Sequence, residues 1–158
     1  MPDRKPPRLE GDELATLSAL LGYQRRSLVG KVEGVDDAAA RRPLVGSGTT
    51  LLWLVKHITG AELTWVVHRF AGEDVAVPPD AVQPSDTVAG AVDAYRAVWT
   101  RVDAIVAAAP SLDARCRRVG EEIPVNLRWV LMHLLEETAR HAGHADILRE
   151  LVDGTTGR

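Results

Sequence analysis

The stretch of residues 127–148 constrains the fold of this chain more than any other part of the sequence. Its apolar residues recur with the period of an α-helix and form one stripe: Leu127, Val130, Leu131, Leu134, Ala145 and Leu148. At about 100° per residue, His141 falls at the centre of this stripe, and Glu137 and His144 fall at its edge. Burying a carboxylate and imidazoles is costly unless they have partners. A metal ion would satisfy all three side chains at once.

Four helical patterns and no convincing strand pattern run along the chain. The predicted helices span about residues 12–32, 50–71, 86–109 and 126–152. The predicted N-caps are Asp12, Thr49 or Thr50, Ser85 and Asn126, and the predicted helix stops are Gly72, Pro110 and Gly154. Helices of this length can bury their stripes against one another, which predicts an all-α four-helix bundle. We expect one domain over residues 10–154, after a flexible tail of residues 1–10.

The composition excludes several classes of function. The chain has 158 residues, of which 46% are hydrophobic, and a net charge of −3, which gives no electrostatic support for binding nucleic acid or a membrane surface. Cys116 is the only cysteine, so no internal disulfide can form. The N-terminus lacks the apolar core of a signal peptide, and no stretch reaches the length of a membrane helix. We therefore expect a soluble, cytoplasmic protein.

The spacing of the polar residues on the last helix predicts a metal site. Glu137 and His141 are four residues apart, which places them one turn apart on one face. A tetrahedral catalytic site needs a third protein ligand and one open position. His57 lies in the middle of the second helix, where it can face the middle of the fourth. His68 lies about 16 Å further along that helix, too far to share an ion with His57. The predicted ligands are His57, Glu137 and His141.

The other histidines and the basic residues have competing interpretations. His144, one turn after the predicted ligand, is a fourth ligand, an outer partner of a ligand, or a group that contacts substrate. For His133 a structural role is favoured. Arg140 and residues 115–118 offer positive charge for a substrate carboxylate, although exposed arginines are the favoured interpretation of that loop. Cys116 lies in this loop without a base fixed beside it and is expected to be a bystander.

Two segments carry a resemblance to a known family. Residues 47–62 contain His57, followed by the small residues Gly60 and Ala61 and then Glu62, and they resemble the second helix of the DinB/YfiT-like superfamily of metal-binding four-helix bundles. Residues 126–146 are similar to the actinobacterial mycothiol S-transferase branch of that superfamily. The resemblance covers roughly residues 10–154, almost the whole chain.

The resemblance implies a metal-ligand set, a helix topology and an oligomeric state. It carries the family's metal triad onto His57, Glu137 and His141, and it implies an up-down-down-up bundle and a homodimer. Many DinB proteins have histidine where this chain has Glu137, whereas the mycothiol-dependent isomerases are similar to it in having glutamate. The mycothiol side of the superfamily is therefore favoured.

These observations together lead to a hypothesis of metal-dependent thiol transfer. A divalent metal would activate the thiol of mycothiol for attack on an electrophilic small molecule. Zinc is the predicted ion, with nickel or iron as alternatives. His144 is the predicted catalytic residue, which would orient the thiol compound or move a proton. The alternatives are a hydrolase in which the same metal activates water, and a non-catalytic bundle whose metal site is closed by His144.

Overall fold

Five α-helices and one π-helical segment form the regular structure of the residues that the computed structural model describes, 5–119 and 123–157. They are α1 (Glu13–Val32), α2 (Asp37–Ala40), α3 (Leu51–Glu62), the π-helical segment (Leu63–Phe70), α4 (Val88–Ala107) and α5 (Leu127–Asp153). The four long helical units and the all-α class are as predicted. Residues 1–4 of the predicted tail lie outside the described residues, so the tail stays a prediction. No helix within the described residues is both long and apolar enough to cross a bilayer.

Side-chain caps fix the starts of the long helices. Asp12, Thr50 and Asn126 cap α1, α3 and α5 as predicted, each accepting a hydrogen bond from a backbone N–H three residues later. The prediction of Ser85 as the third cap was wrong, because Thr87 caps α4 by accepting from the Gly90 N–H. Gly72 and Gly154 adopt the left-handed conformation just beyond their helices, at φ of 72° and 75°, as helix stops require.

Two local features were not predicted. The second long unit is α-helical only as far as Glu62, and it then continues as the π-helical segment, in which the Ala71 N–H bonds to the Val66 carbonyl five residues earlier. The short helix α2 lies in a stretch predicted to be a loop, and Asp36 caps it by accepting from the Ala38 N–H.

Ion pairs between the helices establish the up-down-down-up order. Arg128 contacts Glu13 near the starts of α5 and α1, at 2.7 Å, and Lys31 contacts Asp146 near their ends, so these two helices run parallel. The unit that α3 forms with the π-helical segment, the α3–π unit, is also parallel to α4, because Lys56 on α3 pairs with Asp86 just before α4, and Arg101 in the second half of α4 pairs with Glu73 just after the π-helical segment.

The α3–π unit runs antiparallel to α1 and α5. Arg25 on α1 contacts Glu62 near the end of α3. Trp53, near the start of α3, lies 6.1 Å from His141 in the second half of α5, measured between ring centroids. Since α4 is parallel to the α3–π unit, the chain has to run from the end of that unit back to the level of its start before α4 begins. Residues 71–87 make this connection and are called the connector below.

A buried ion pair ties three helices together inside the apolar core. Arg25 donates from Nε and Nη2 to the two carboxylate oxygens of Glu62, at 2.8 and 2.6 Å. Tyr95 donates to the same carboxylate at 3.0 Å, and Asp103 accepts from Arg25 at 2.7 Å. Burial raises the pKa of Glu62, and the Arg25 guanidinium opposes that rise. Since Glu62 is fully buried, these bonds hold the end of α3 against α1 and α4.

Candidate metal centre

The three predicted ligands converge between the middle of α3 and the middle of α5. Ligand atoms of His57, Glu137 and His141 all lie within 4.8 Å of one another. The Nε2 atom of His141 is 3.3 Å from Oε2 of Glu137, and the imidazole centroids of His57 and His141 are 4.9 Å apart. The antiparallel packing of α3 and α5 brings their midpoints together. The four-residue spacing on α5 places Glu137 and His141 on the same face of that helix.

This donor set fits a divalent transition-metal ion. Two ligand atoms about 2.1 Å from a tetrahedral zinc are about 3.4 Å apart, close to the 3.3 Å between His141 and Glu137. Two imidazoles and one carboxylate suit zinc, and they also suit nickel and iron. Three protein ligands leave the fourth tetrahedral position for water or substrate.

His141 is the most enclosed of the three side chains, with 8% of its surface exposed. Burial lowers its pKa, and the neighbouring His57 lowers it further, while Glu137 acts in the opposite direction. The neutral imidazole is the form that binds metals, so the surroundings of His141 favour the ligand form.

Each histidine of the triad has a further partner that orients its ring. His57 stacks on Trp53 with centroids 4.6 Å apart and planes inclined by 15°, and its Nδ1 lies 3.3 Å from Oδ2 of Asp80. Nδ1 of His141 lies 3.3 Å from Nδ1 of His144. With Nδ1 occupied in both rings, Nε2 is left to face the centre of the site. Carboxylates and other acceptors commonly fix metal-binding histidines in this way.

Asp80 belongs to the connector, which is fastened over this part of α3. Lys56, the residue before His57, donates to the Ala81 carbonyl at 2.7 Å and to Asp86 at 2.5 Å. The connector also packs on Gly60, where an added Cβ would lie 3.4 Å from Cγ1 of Val77, an ordinary van der Waals distance. No sequence pattern indicates the role of Asp80, since a proline-rich connection has no period from which its path can be predicted.

We expect Asp80→Ala to weaken zinc binding by about 10- to 100-fold, the usual cost of losing an outer partner of a metal-binding histidine. The reason is that His57 loses the acceptor that fixes its ring and its tautomer. Competition against a chelating dye measures the affinity. Asp93→Ala, at an exposed position on α4, is the matched control and is expected to bind zinc like the parent protein. Equal affinities in the two variants would contradict the role given to Asp80.

Two members of the triad, His57 and Glu137, line a cleft of about 430 Å³. The residues that line it are His57, Gly60, Ala61, Thr64, Trp65, Val77, Pro78, Asp80, His133 and Glu137. The sequence favours a structural role for His133, but this side chain lines the cleft, as does that of Trp65. His133 is held between rings, 5.0 Å from Trp65 and 4.9 Å from Trp129. Its position one turn before Glu137 is the signal that could have placed it near the site.

His144 lies on the other side of His141 from the cleft. It is exposed and lines a separate pocket of about 140 Å³ with residues such as Thr49 and Leu148. Its ring nitrogen faces His141, and it does not join the cluster of three ligands. His144 therefore lies where it can act as an outer partner of His141, and its catalytic role stays a prediction.

The remaining sequence candidates lie apart from the cleft. Arg140 pairs with Glu136 on the exposed face of α5, and Arg118 donates to the Gly72 carbonyl and to Asp74. Cys116 is buried, and burial raises the pKa of its thiol, which does not favour the nucleophilic form.

Comparisons with known proteins agree with this architecture. The family model described as mycothiol-S-transferase matches residues 16–154. A DinB-like protein from Bacillus cereus ATCC 10987 has a similar structure, with a TM-score of 0.68 at 17% identity over 89% of this chain and 96% of that one. A conserved protein from Enterococcus faecalis gives a TM-score of 0.63 at 15% identity over 92% of this chain and 100% of that one. No curated protein is similar enough to count as a match.

Proposed function

Because the chain belongs to the mycothiol-S-transferase family, we propose that it is a metal-dependent enzyme that transfers the thiol of mycothiol to an electrophilic small molecule. The observation that carries this proposal is the convergence of His57, Glu137 and His141, together with the open cleft that His57 and Glu137 line. A structural metal site would be closed by four protein ligands, whereas the described residues bring three together here, and His144 faces Nδ1 of His141 instead.

In the proposed reaction the metal ion would activate the thiol, and histidine side chains would accept its proton and orient a ligand. A divalent ion at this site, zinc in our proposal, would lower the pKa of a thiol in its open position. Transfer then forms a bond from sulfur to the electrophilic carbon, while the leaving group departs with its electron pair. The thiol proton needs an acceptor, and His133 is an imidazole that lines the cleft and can take it at a ring nitrogen. His144 acts through His141, whose Nδ1–H it can accept, and so keeps Nε2 directed at the ion.

Mass spectrometry tests this function directly. Zinc-loaded protein is incubated with mycothiol and a benzyl halide, and the thioether product is followed over time. We expect formation at least tenfold faster than without protein, and near-background formation with Glu137→Gln, since that variant loses a charged ligand. Consumption of an ester or amide substrate in the absence of any thiol would indicate the hydrolase instead. The absence of any turnover would favour the non-catalytic bundle. The homodimer stays a prediction for a measurement of molar mass in solution.

A further inference from the structure

The carboxylate and ammonium or guanidinium groups that could line the cleft are represented only by carboxylates among the described lining residues. Its charged lining residues are Asp80 and Glu137, and none of the described residues that line it is an arginine or a lysine. Glu137 is directed at the metal site, where a divalent ion would offset it. Asp80 therefore gives the cleft a carboxylate that faces any molecule held next to His57.

Three cations on the adjoining helices each have a partner. Lys56 is bonded to the Ala81 carbonyl and to Asp86 on the connector. The guanidinium of Arg69 lies 4.3 Å from the centroid of Trp65 and stacks on that ring. Arg140 pairs with Glu136 on the outer face of α5. None of these three cationic side chains is among the residues that line the cleft, although the sequence suggests Arg140 as a partner for a substrate carboxylate.

The remaining walls of the cleft suit a flat apolar group. Trp65 forms one side, and the connector residues Val77 and Pro78 form another. Gly60 and Ala61 add no bulk between them, which keeps the space open. A cleft of about 430 Å³ is within the size range of small-molecule sites, and apolar walls of this kind bind by burying apolar surface.

We propose that the electrophile of this enzyme is a flat molecule without a carboxylate, packed against Trp65 and selected by repulsion from Asp80. This inference rests on the proposed thiol transfer and names its substrate class. Repulsion between two carboxylates roughly 6 Å apart in a partly solvated cleft is enough for roughly tenfold discrimination.

A matched pair of substrates tests the proposal. Both 4-(chloromethyl)benzamide and 4-(chloromethyl)benzoate react by forming a sulfur–carbon bond to mycothiol as chloride leaves with the bonding pair, and the thiol proton is released. Each kcat/KM is divided by the uncatalysed rate constant of the same compound. We expect zinc-loaded protein to prefer the amide about tenfold or more. A preference for the benzoate, or equal values, would overturn the proposal.

Two variants show whether Asp80 causes the preference. Asp80→Asn removes the charge, and we expect the amide-to-benzoate ratio to fall to about threefold or less. The ratio compares two substrates on the same protein sample, so incomplete zinc loading cancels. Asp93→Asn, the same change at an exposed position of α4, is expected to leave the ratio unaltered. A ratio that stays at the parent value in Asp80→Asn would overturn the role of Asp80.

A binding measurement separates failure of this proposal from failure of thiol transfer. The unreactive analogues 4-methylbenzamide and 4-methylbenzoate are titrated into zinc-loaded protein, and the indole N–H signal of Trp65 is followed by NMR. Tighter binding of the amide supports the inference even if no turnover is found with any thiol. Tighter binding of the benzoate contradicts it even if thiol transfer is fully confirmed.

Discussion

Replacing Arg25 with methionine is expected to lower the free energy of unfolding by about 3–5 kcal/mol. The methionine fills most of the space of the arginine, but it leaves the carboxylate of Glu62 buried without the two bonds that now compensate its charge. Tyr95 alone then donates to it. The end of α3 would be held less firmly just before the π-helical segment. Urea denaturation of the zinc-free protein measures the loss without a contribution from metal binding.

The loss in Arg25→Met should depend on pH in a defined direction. Burial already raises the pKa of Glu62, and removing the guanidinium raises it further. The folded variant then keeps a proton that the unfolded chain releases above about pH 4.3. Its unfolding free energy should therefore fall as the pH rises from about 5 to 8, relative to that of the parent protein.

The double variant Arg25→Met/Glu62→Leu is the control for this prediction. It removes both charges, and replacing a buried ion pair by apolar residues commonly restores stability. We expect it to be more stable than Arg25→Met at pH 8 and to lose the added pH dependence. A single variant that is as stable as the parent protein at every pH would show that the ion pair does not hold these helices together.

The second large effect concerns the ligands themselves. His57→Ala and His141→Ala are each expected to weaken zinc binding by more than about 100-fold, beyond the 10- to 100-fold loss typical of an outer partner. Each change removes one of three donor atoms that converge within 4.8 Å. The affinity is measured by competition against a chelating dye, and circular dichroism checks that the helices remain.

A neighbouring histidine provides the control for the ligand variants. His133 lines the same cleft but is not one of the three clustered ligands. His133→Ala is therefore expected to bind zinc as the parent protein does while losing thiol-transfer activity. Parent-like zinc affinity in His57→Ala or in His141→Ala would remove that residue from the site.

The helical period explains why so much of the site could be predicted. Glu137 and His141 are placed by their own helix, since a regular helix with a clear apolar stripe fixes which side chains face inward. The prediction of His57 as a ligand required only the assumption that the middle of the second predicted helix faces the middle of the fourth. The caps at Asp12 and Thr50 could be predicted because a capping side chain bonds to a backbone N–H only three residues later, so the residue type and its position before the helix are sufficient.

What could not be predicted depends on contacts between distant parts of the chain. Asp80 reaches His57 only because the connector is fastened to Lys56, and no local pattern encodes that path. The change to π-helix after Glu62 occurs within a continuous apolar pattern that looks like ordinary α-helix. Arg25 lies on a helix that the sequence predicts, but its buried partner Glu62 is 37 residues away.

Anomalous diffraction from crystals grown with zinc tests the central claim most directly. We predict one strong peak between α3 and α5, within about 2.3 Å of Nε2 of His57, Nε2 of His141 and a carboxylate oxygen of Glu137, with a non-protein ligand completing the coordination. A peak bound by other residues, or one whose fourth ligand is His144, would contradict a catalytic metal centre in this bundle.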